Sequence, residues 1–225
     1  MIVLRAIGLA LALACAGCAS SPPLSPGYLG TLYAEDRRSL DDEDIAALAQ
    51  RIDVQPEALA AAIDVMSTRQ GGFQANGRAT ILFEPHIFSR RTEHRFDQSH
   101  PSVSYLTWNA QSYPRTQEAR WAQLREAFAL DPENALAAAS WGRFQIMGLN
   151  YQTVGFSSPS ELVTFMTRSE ANQAEVFVRF IVANHLDDNL RNLDWEGFAR
   201  VYNGPGQVER YAEQLRTAYA RRTQR

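Results

Sequence analysis

Apolar side chains return at Leu59, Ile63 and Met66 within "QPEALAAAIDVMSTRQ", the three- and four-residue spacing of one helix face. Pro56 suits a first helical turn, where a missing N–H costs nothing, so a core helix is expected from there. The preceding segment, "SLDDEDIAALAQRI", opens with Ser39 as a candidate cap and an acidic first turn. Downstream, "TQEARWAQLREAFAL" and "PENALAAASWGRF" read as two further helices punctuated by Asp131-Pro132. "SSPSELVTFMTRS" carries Ser158, Pro159 and Glu161 as start signals, and "EANQAEVFVRFIVANHL", "WEGFARVY" and "VERYAEQLRTAYARR" continue the helical pattern. Only "ATILFEP", around residues 79 to 85, reads as extended. The expected fold is mostly α, with at most a small β-hairpin.

One stretch of the pattern is unusual in what it omits. The helix beginning at Pro56 is expected to run to Arg69, break at Gly71-Gly72, pass through a turn at Asn76-Gly77 and lead into an apolar run closed by Glu84. Between Asp64 and Glu84 there is no carboxylate.

Composition narrows the class. The chain has 225 residues, 45% of them hydrophobic, which suits one domain plus a tail better than two domains. Its net charge is -3, every basic residue is Arg, and no basic tract stands out, so nucleic acid is not an expected partner. "MIVLRAIGLALALACAGCASS" has a positive start at Arg5, an apolar stretch from Ala6 to Ala16 and small residues around a cysteine, the grammar of an export signal too short to span a membrane. "CAGC" resembles a bacterial lipobox cut before Cys18, with Cys15 where the pattern prefers a branched aliphatic. The alternative is ordinary signal cleavage nearby. The expected organisation is a signal peptide over 1–17, a Ser/Pro/Gly-rich tether over 18–31 and a folded domain over 32–225. Ala19 and Ser20 lack the aspartate that marks inner-membrane retention, so the expected location is the periplasmic face of the outer membrane.

The four histidines, His86, His94, His100 and His185, form no metal-binding spacing, and neither a nucleophile elbow nor a phosphate-cradling loop is present. No cofactor is expected. What remains is carboxylates, aromatics and amides, the groups that grip and cleave sugars.

Three segments in chain order, "MSTRQGGF", "SWGRFQIMG" and "VYNGPG", resemble the signature motifs shared by goose-type lysozymes and lytic transglycosylases. More closely, "GRATILFEPHIF", "SWGRFQIMGLNY", "FVRFI" and "YNGPG" resemble the N-acetylmuramidase domain of phage endolysins and bacterial relatives, over roughly residues 40 to 222. The resemblance implies a lysozyme-like helical domain around a cleft for the glycan strand of peptidoglycan. It further implies that Gln145 and the backbone through Gly142, Phe144 and Ile146 line the cleft, and that Tyr202 and Asn203 contact the sugar. From the residues alone, Trp141, Phe144 and Ile146 read equally well as core, and "NGPG" as a turn between helices.

The catalytic position departs from the family. Its members read Val-Glu-Ser/Thr ahead of a Gly-Phe pair; counting back from Gly72-Phe73 places Ser67 at the glutamate, with Thr68 matching its hydroxyl neighbour. A one-residue gap places Met66 there instead. A glycosidic oxygen needs a carboxyl group to protonate it, and a serine hydroxyl is no substitute. Two carboxylates are candidates for the missing role: Asp64, three residues before Ser67 on one helix surface, and Glu84 in "LFEPH". Two functions follow as expectations: a degenerate muramidase that binds peptidoglycan without cutting it, or an active muramidase or lytic transglycosylase working through Glu84 or Asp64. An interaction module that has lost its glycan site is a third, which the retained motifs oppose.

Overall fold

The computed structural model describes residues 24–109 and 113–224. The signal segment and Cys18 lie outside these residues. The helices are α1 (Asp42–Arg51), α2 (Pro56–Met66), α3 (Pro85–Arg91), α4 (Gln117–Leu130), α5 (Pro132–Ala137), α6 (Pro159–Met166), α7 (Glu170–Ala183), α8 (Leu186–Arg191), α9 (Trp195–Tyr202) and α10 (Val208–Thr223). Among them lies one antiparallel sheet of β1 (Ile81–Phe83), β2 (Ala139–Trp141) and β3 (Ile146–Met147), in that order.

The mostly α fold is as expected, and α2 is its centre. Ala58, Leu59, Ala60, Ala61, Ala62, Ile63 and Met66 are all buried, so this helix is covered on nearly every side. Its alanines let neighbouring backbone come close, and α10 packs along it while also packing against α9. Trp141, Phe83, Phe88, Phe177 and Phe198 are the largest fully buried side chains.

Four local expectations are corrected. The cap of α1 is Asp41, not Ser39: Asp41 Oδ1 accepts from the Asp44 N–H at 2.9 Å, and Asp44 Oδ2 accepts from the Asp41 N–H at 3.2 Å. Such a reciprocal box satisfies two free N–H groups where Ser39 would satisfy one. α2 stops at Met66 rather than Arg69, because Ser67 turns to extended backbone with ψ 135°. "PENALAAASWGRF" is helical only through Ala137; Ala139 to Trp141 then become β2, pairing Ile81 with Trp141 and Phe83 with Ala139. Alanine-rich sequence favours helix, but here the pairing with β1 and the burial of Trp141 override that preference. Finally, the packed chain starts before Leu32: residues 28–31 form a 3-10 turn, Leu29 is buried, and the Tyr28 ring stacks on Phe128 at 5.9 Å.

Two short helices, α3 and α8, arise where no periodic run was read. Six or seven residues give too few turns for a periodicity to show.

Candidate functional site

Ser67 sits at the C-terminal cap of α2, where the helix has run out of intrahelical partners. Its hydroxyl donates to the Ile63 carbonyl at 2.5 Å and accepts from Arg143 Nε at 2.8 Å. Arg143 lies in the turn between β2 and β3, and its carbonyl accepts from the Thr68 N–H at 2.7 Å. The end of α2 and the hairpin turn are therefore joined twice.

The guanidinium goes on to Glu170, the first residue of α7, with Nη1 at 2.9 Å from Oε2. The other oxygen, Oε1, accepts from the Gly72 N–H at 3.1 Å. Gln173, one turn along α7, accepts from the Arg143 N–H at 2.7 Å and donates to the Met166 carbonyl at 3.2 Å. A Cβ at Gly72 or Gly142 would run into this carboxamide, and Gly142 has φ +70°, so both glycines are required by close approach. A carboxylate is thus present in space near the α2 terminus, one guanidinium away from Ser67.

The two carboxylates proposed as substitutes have partners of their own. Asp64 is exposed and holds Arg222 of α10 with two bonds, Nη2 to Oδ1 at 2.8 Å and Nε to Oδ2 at 3.0 Å. The one-turn relation to Ser67 holds, since the Ser67 N–H still bonds the Ile63 carbonyl at 3.1 Å, but the Asp64 carboxylate is committed to Arg222. Glu84 opens α3, and its N–H bonds the Ala138 carbonyl at 2.9 Å. Its side chain is 18% exposed; Oε2 accepts from the Tyr113 hydroxyl and lies 3.4 Å from His86 Nδ1. Burial pushes the His86 imidazole below its ordinary value, against the pull of Glu84, and burial followed by the bond to Glu84 pushes the Tyr113 phenol up. Beside Tyr113, at 6.5 Å between rings, Trp108 is 59% exposed.

The motif residues divide between side chain and backbone. Phe144 and Ile146 are 3% and 4% exposed, and Phe144 stacks on Phe177 at 4.2 Å, so their side chains are core and only their backbone can face a ligand. Gln145 between them has φ +51°, a left-handed conformation rare for its type. Three bonds hold it there: Oε1 accepts from Ser140 Oγ at 3.0 Å, while Nε2 donates to the carbonyls of Gly142 at 2.8 Å and Thr80 at 3.3 Å. Tyr202 packs edge-on to Phe177 and Phe180 and stacks on Phe198, all at 5.7 Å, and donates to the Phe144 carbonyl at 3.4 Å. Burial raises its phenol well above the ordinary value. Asn203 caps α9, and its Oδ1 is buried without a hydrogen-bond partner among the described residues.

Ser89, His94 and Asp97 are in mutual contact but form no relay. Ser89 Oγ and Asp97 Oδ2 both meet the same ring nitrogen, Nδ1, and Ser89 is fully buried.

The sequence reading missed Arg143, Glu170, Gln173, Tyr113 and Trp108. Arg143 stood inside a quoted motif, next to Gly142; nothing local marked the others.

The N-acetylmuramidase family model matches residues 55–223, which takes in α2 through α10 and every candidate from Asp64 to Asn203. The chain belongs to the N-acetylmuramidase family. Among solved structures, the crystal structure of a Burkholderia AP3 phage endolysin matches with a TM-score of 0.76 and 34% identity, over 84% of this chain and 72% of that one. No curated protein matches. The muramidase family is one of peptidoglycan hydrolases, and its lysozyme-like fold is the fold of this chain.

Proposed function

We propose that this muramidase-family protein binds the glycan strand of peptidoglycan without cleaving it, from the periplasmic face of the outer membrane, where a lipid on Cys18 anchors it. The observation that carries the reading is the occupant of the α2 terminus. Ser67, counted back from Gly72-Phe73 to the place of the family's glutamate, is bonded to Arg143, and neither group is an acid fit to protonate a glycosidic oxygen. Glu170 behind them is 8% exposed and engaged on both oxygens, and Asp64 is tied to α10. Binding, in contrast, needs no acid, and the family match over residues 55–223 supports it.

Glu84 supports a second reading, that of an active hydrolase, because its side chain, 18% exposed, accepts from Tyr113, whose neighbour Trp108 is exposed. One experiment separates the two. Full-length protein and its Ser67→Glu form, each with and without Glu84→Gln, are assayed for clearing of purified peptidoglycan and for co-sedimentation with it. The binding reading expects co-sedimentation without clearing, and weak clearing gained by Ser67→Glu. Clearing by the natural protein that Glu84→Gln abolishes makes Glu84 the acid. The anchor is tested separately by Cys18→Ala, which should release the protein from the membrane fraction.

A further inference from the structure

Beyond Gly71-Gly72 the chain turns at Asn76-Gly77 and presents Arg78, a charge without a counter-ion among the described residues. Its guanidinium carbon lies 4.7 Å from the Trp121 ring centroid and 5.0 Å from that of Tyr33. Nε donates to the Tyr33 hydroxyl at 3.1 Å, whereas Nη1 is buried with no acceptor. Among the described residues Arg78 has no carboxylate partner, and neither has exposed Arg125 on α4.

Both arginines line the same two cavities. The larger, about 620 Å³, has apolar walls that include Leu29, Phe128 and Pro132, and no carboxylate lines it. The smaller, about 240 Å³, is lined by the carboxamides of Gln74, Asn76 and Gln117, with Trp121 and one carboxylate, Glu118. Gln117 connects this place to the candidate glycan site, because its Nε2 donates to Gln70 Oε1 at 2.9 Å, and Gln70 is on the loop that follows Ser67. Two guanidinium groups without a carboxylate partner among the described residues call for carboxylates, the carboxamides of Gln74 and exposed Asn76 suit the N–H and C=O groups of a peptide, and apolar walls suit its methyl side chains, while buried Gln117 is already bonded at both ends.

We propose that these cavities bind the acidic peptide stem carried by the glycan, with Arg78 and Arg125 pairing with its carboxylates. The proposal rests on the glycan-binding reading and extends it from the sugar to the substituent. The row of carboxamides favours a peptide over a lipid headgroup as the occupant.

Arg125 is exposed, so replacing it leaves the fold intact. The full-length chain carrying Cys18→Ala, with and without Arg125→Glu, is measured against stem-bearing sacculi, glycan strands stripped of stems, the free stem peptide and anionic phospholipid vesicles. The stem-bearing form should bind roughly tenfold tighter than the stripped form, the scale of one charge-assisted hydrogen bond, and Arg125→Glu should erase that difference while leaving stripped glycan bound as before. Equal binding of both glycan forms, or a preference that survives Arg125→Glu, overturns the proposal. So does a loss confined to vesicles, which would assign the arginines to a headgroup. Binding of the free peptide and of stem-bearing sacculi that depends on Arg125, in a chain that does not bind stripped glycan, supports the stem site and sinks the glycan reading alone.

Discussion

Glu170 and Glu84 are held by opposite kinds of partner. Glu170 meets a guanidinium and a backbone N–H, and its oxygens join α7, the hairpin turn and the loop after α2. Glu84 meets a phenol and an imidazole that burial keeps below its ordinary range. Engagement of the first kind locks three elements together; engagement of the second orients a carboxyl group and leaves it without a charged partner. The contrast separates a carboxylate that ties elements of the fold together from one that has no cationic arginine among its partners in the described residues.

The largest effect that would break this contrast is expected at Arg143. Arg143→Met deprives the buried Glu170 carboxylate of its guanidinium, and should lower unfolding stability in urea by about 3–5 kcal/mol. A loss under about 1 kcal/mol would show that the ion pair is not what joins these elements. Gly142→Ala adds a Cβ against Gln173 at φ +70° and should cost roughly 2 kcal/mol by the same measurement, since strain and overlap both act. Ser67→Ala removes one bond to Arg143 and should cost about 1 kcal/mol, and Glu84→Gln should cost no more than that, keeping a carbonyl for the Tyr113 hydroxyl. A large loss from Glu84→Gln would put both carboxylates in the structural class.

The smallest effect concerns pH. His86 is a base whose folded value is lowered by burial from 6.5, so below that pH the unfolded chain takes up a proton that the folded chain resists. Stability should therefore fall as pH drops from 6.5 toward the folded value, and be fully present above 6.5. Denaturation midpoints compared between about pH 7.5 and 5.5 for the natural protein and His86→Gln should show the slope reduced in the variant. An unchanged slope would remove His86 as its source.

Long periodic segments were legible from sequence because their information is local: the start signals at Pro56, Ser158 and Pro159 and the apolar spacing of α2 all lie within a few turns. Of the sheet only β1 was, within "ATILFEP"; β2 was not, because "AAASW" is helix-forming until it meets β1, which lies 58 residues away in the Ser140–Leu82 contact. The site shows the same division. Counting from Gly72-Phe73 leads only to Ser67, whereas Glu170 reaches Gly72 across 98 residues and Tyr113 reaches Glu84 across 29. No spacing rule announces such a meeting.

The clasp of α10 on α2 has a consequence in time. Arg222 closes on Asp64 across 158 residues of chain, so the alanine-rich helix is synthesised early and covered late. Until α10 arrives, its apolar faces are open to any other surface in the cell, including those of unfinished copies. A slow step in refolding should therefore be the docking of α10. A chaperone that shields this chain during synthesis has its natural target in residues 58–66.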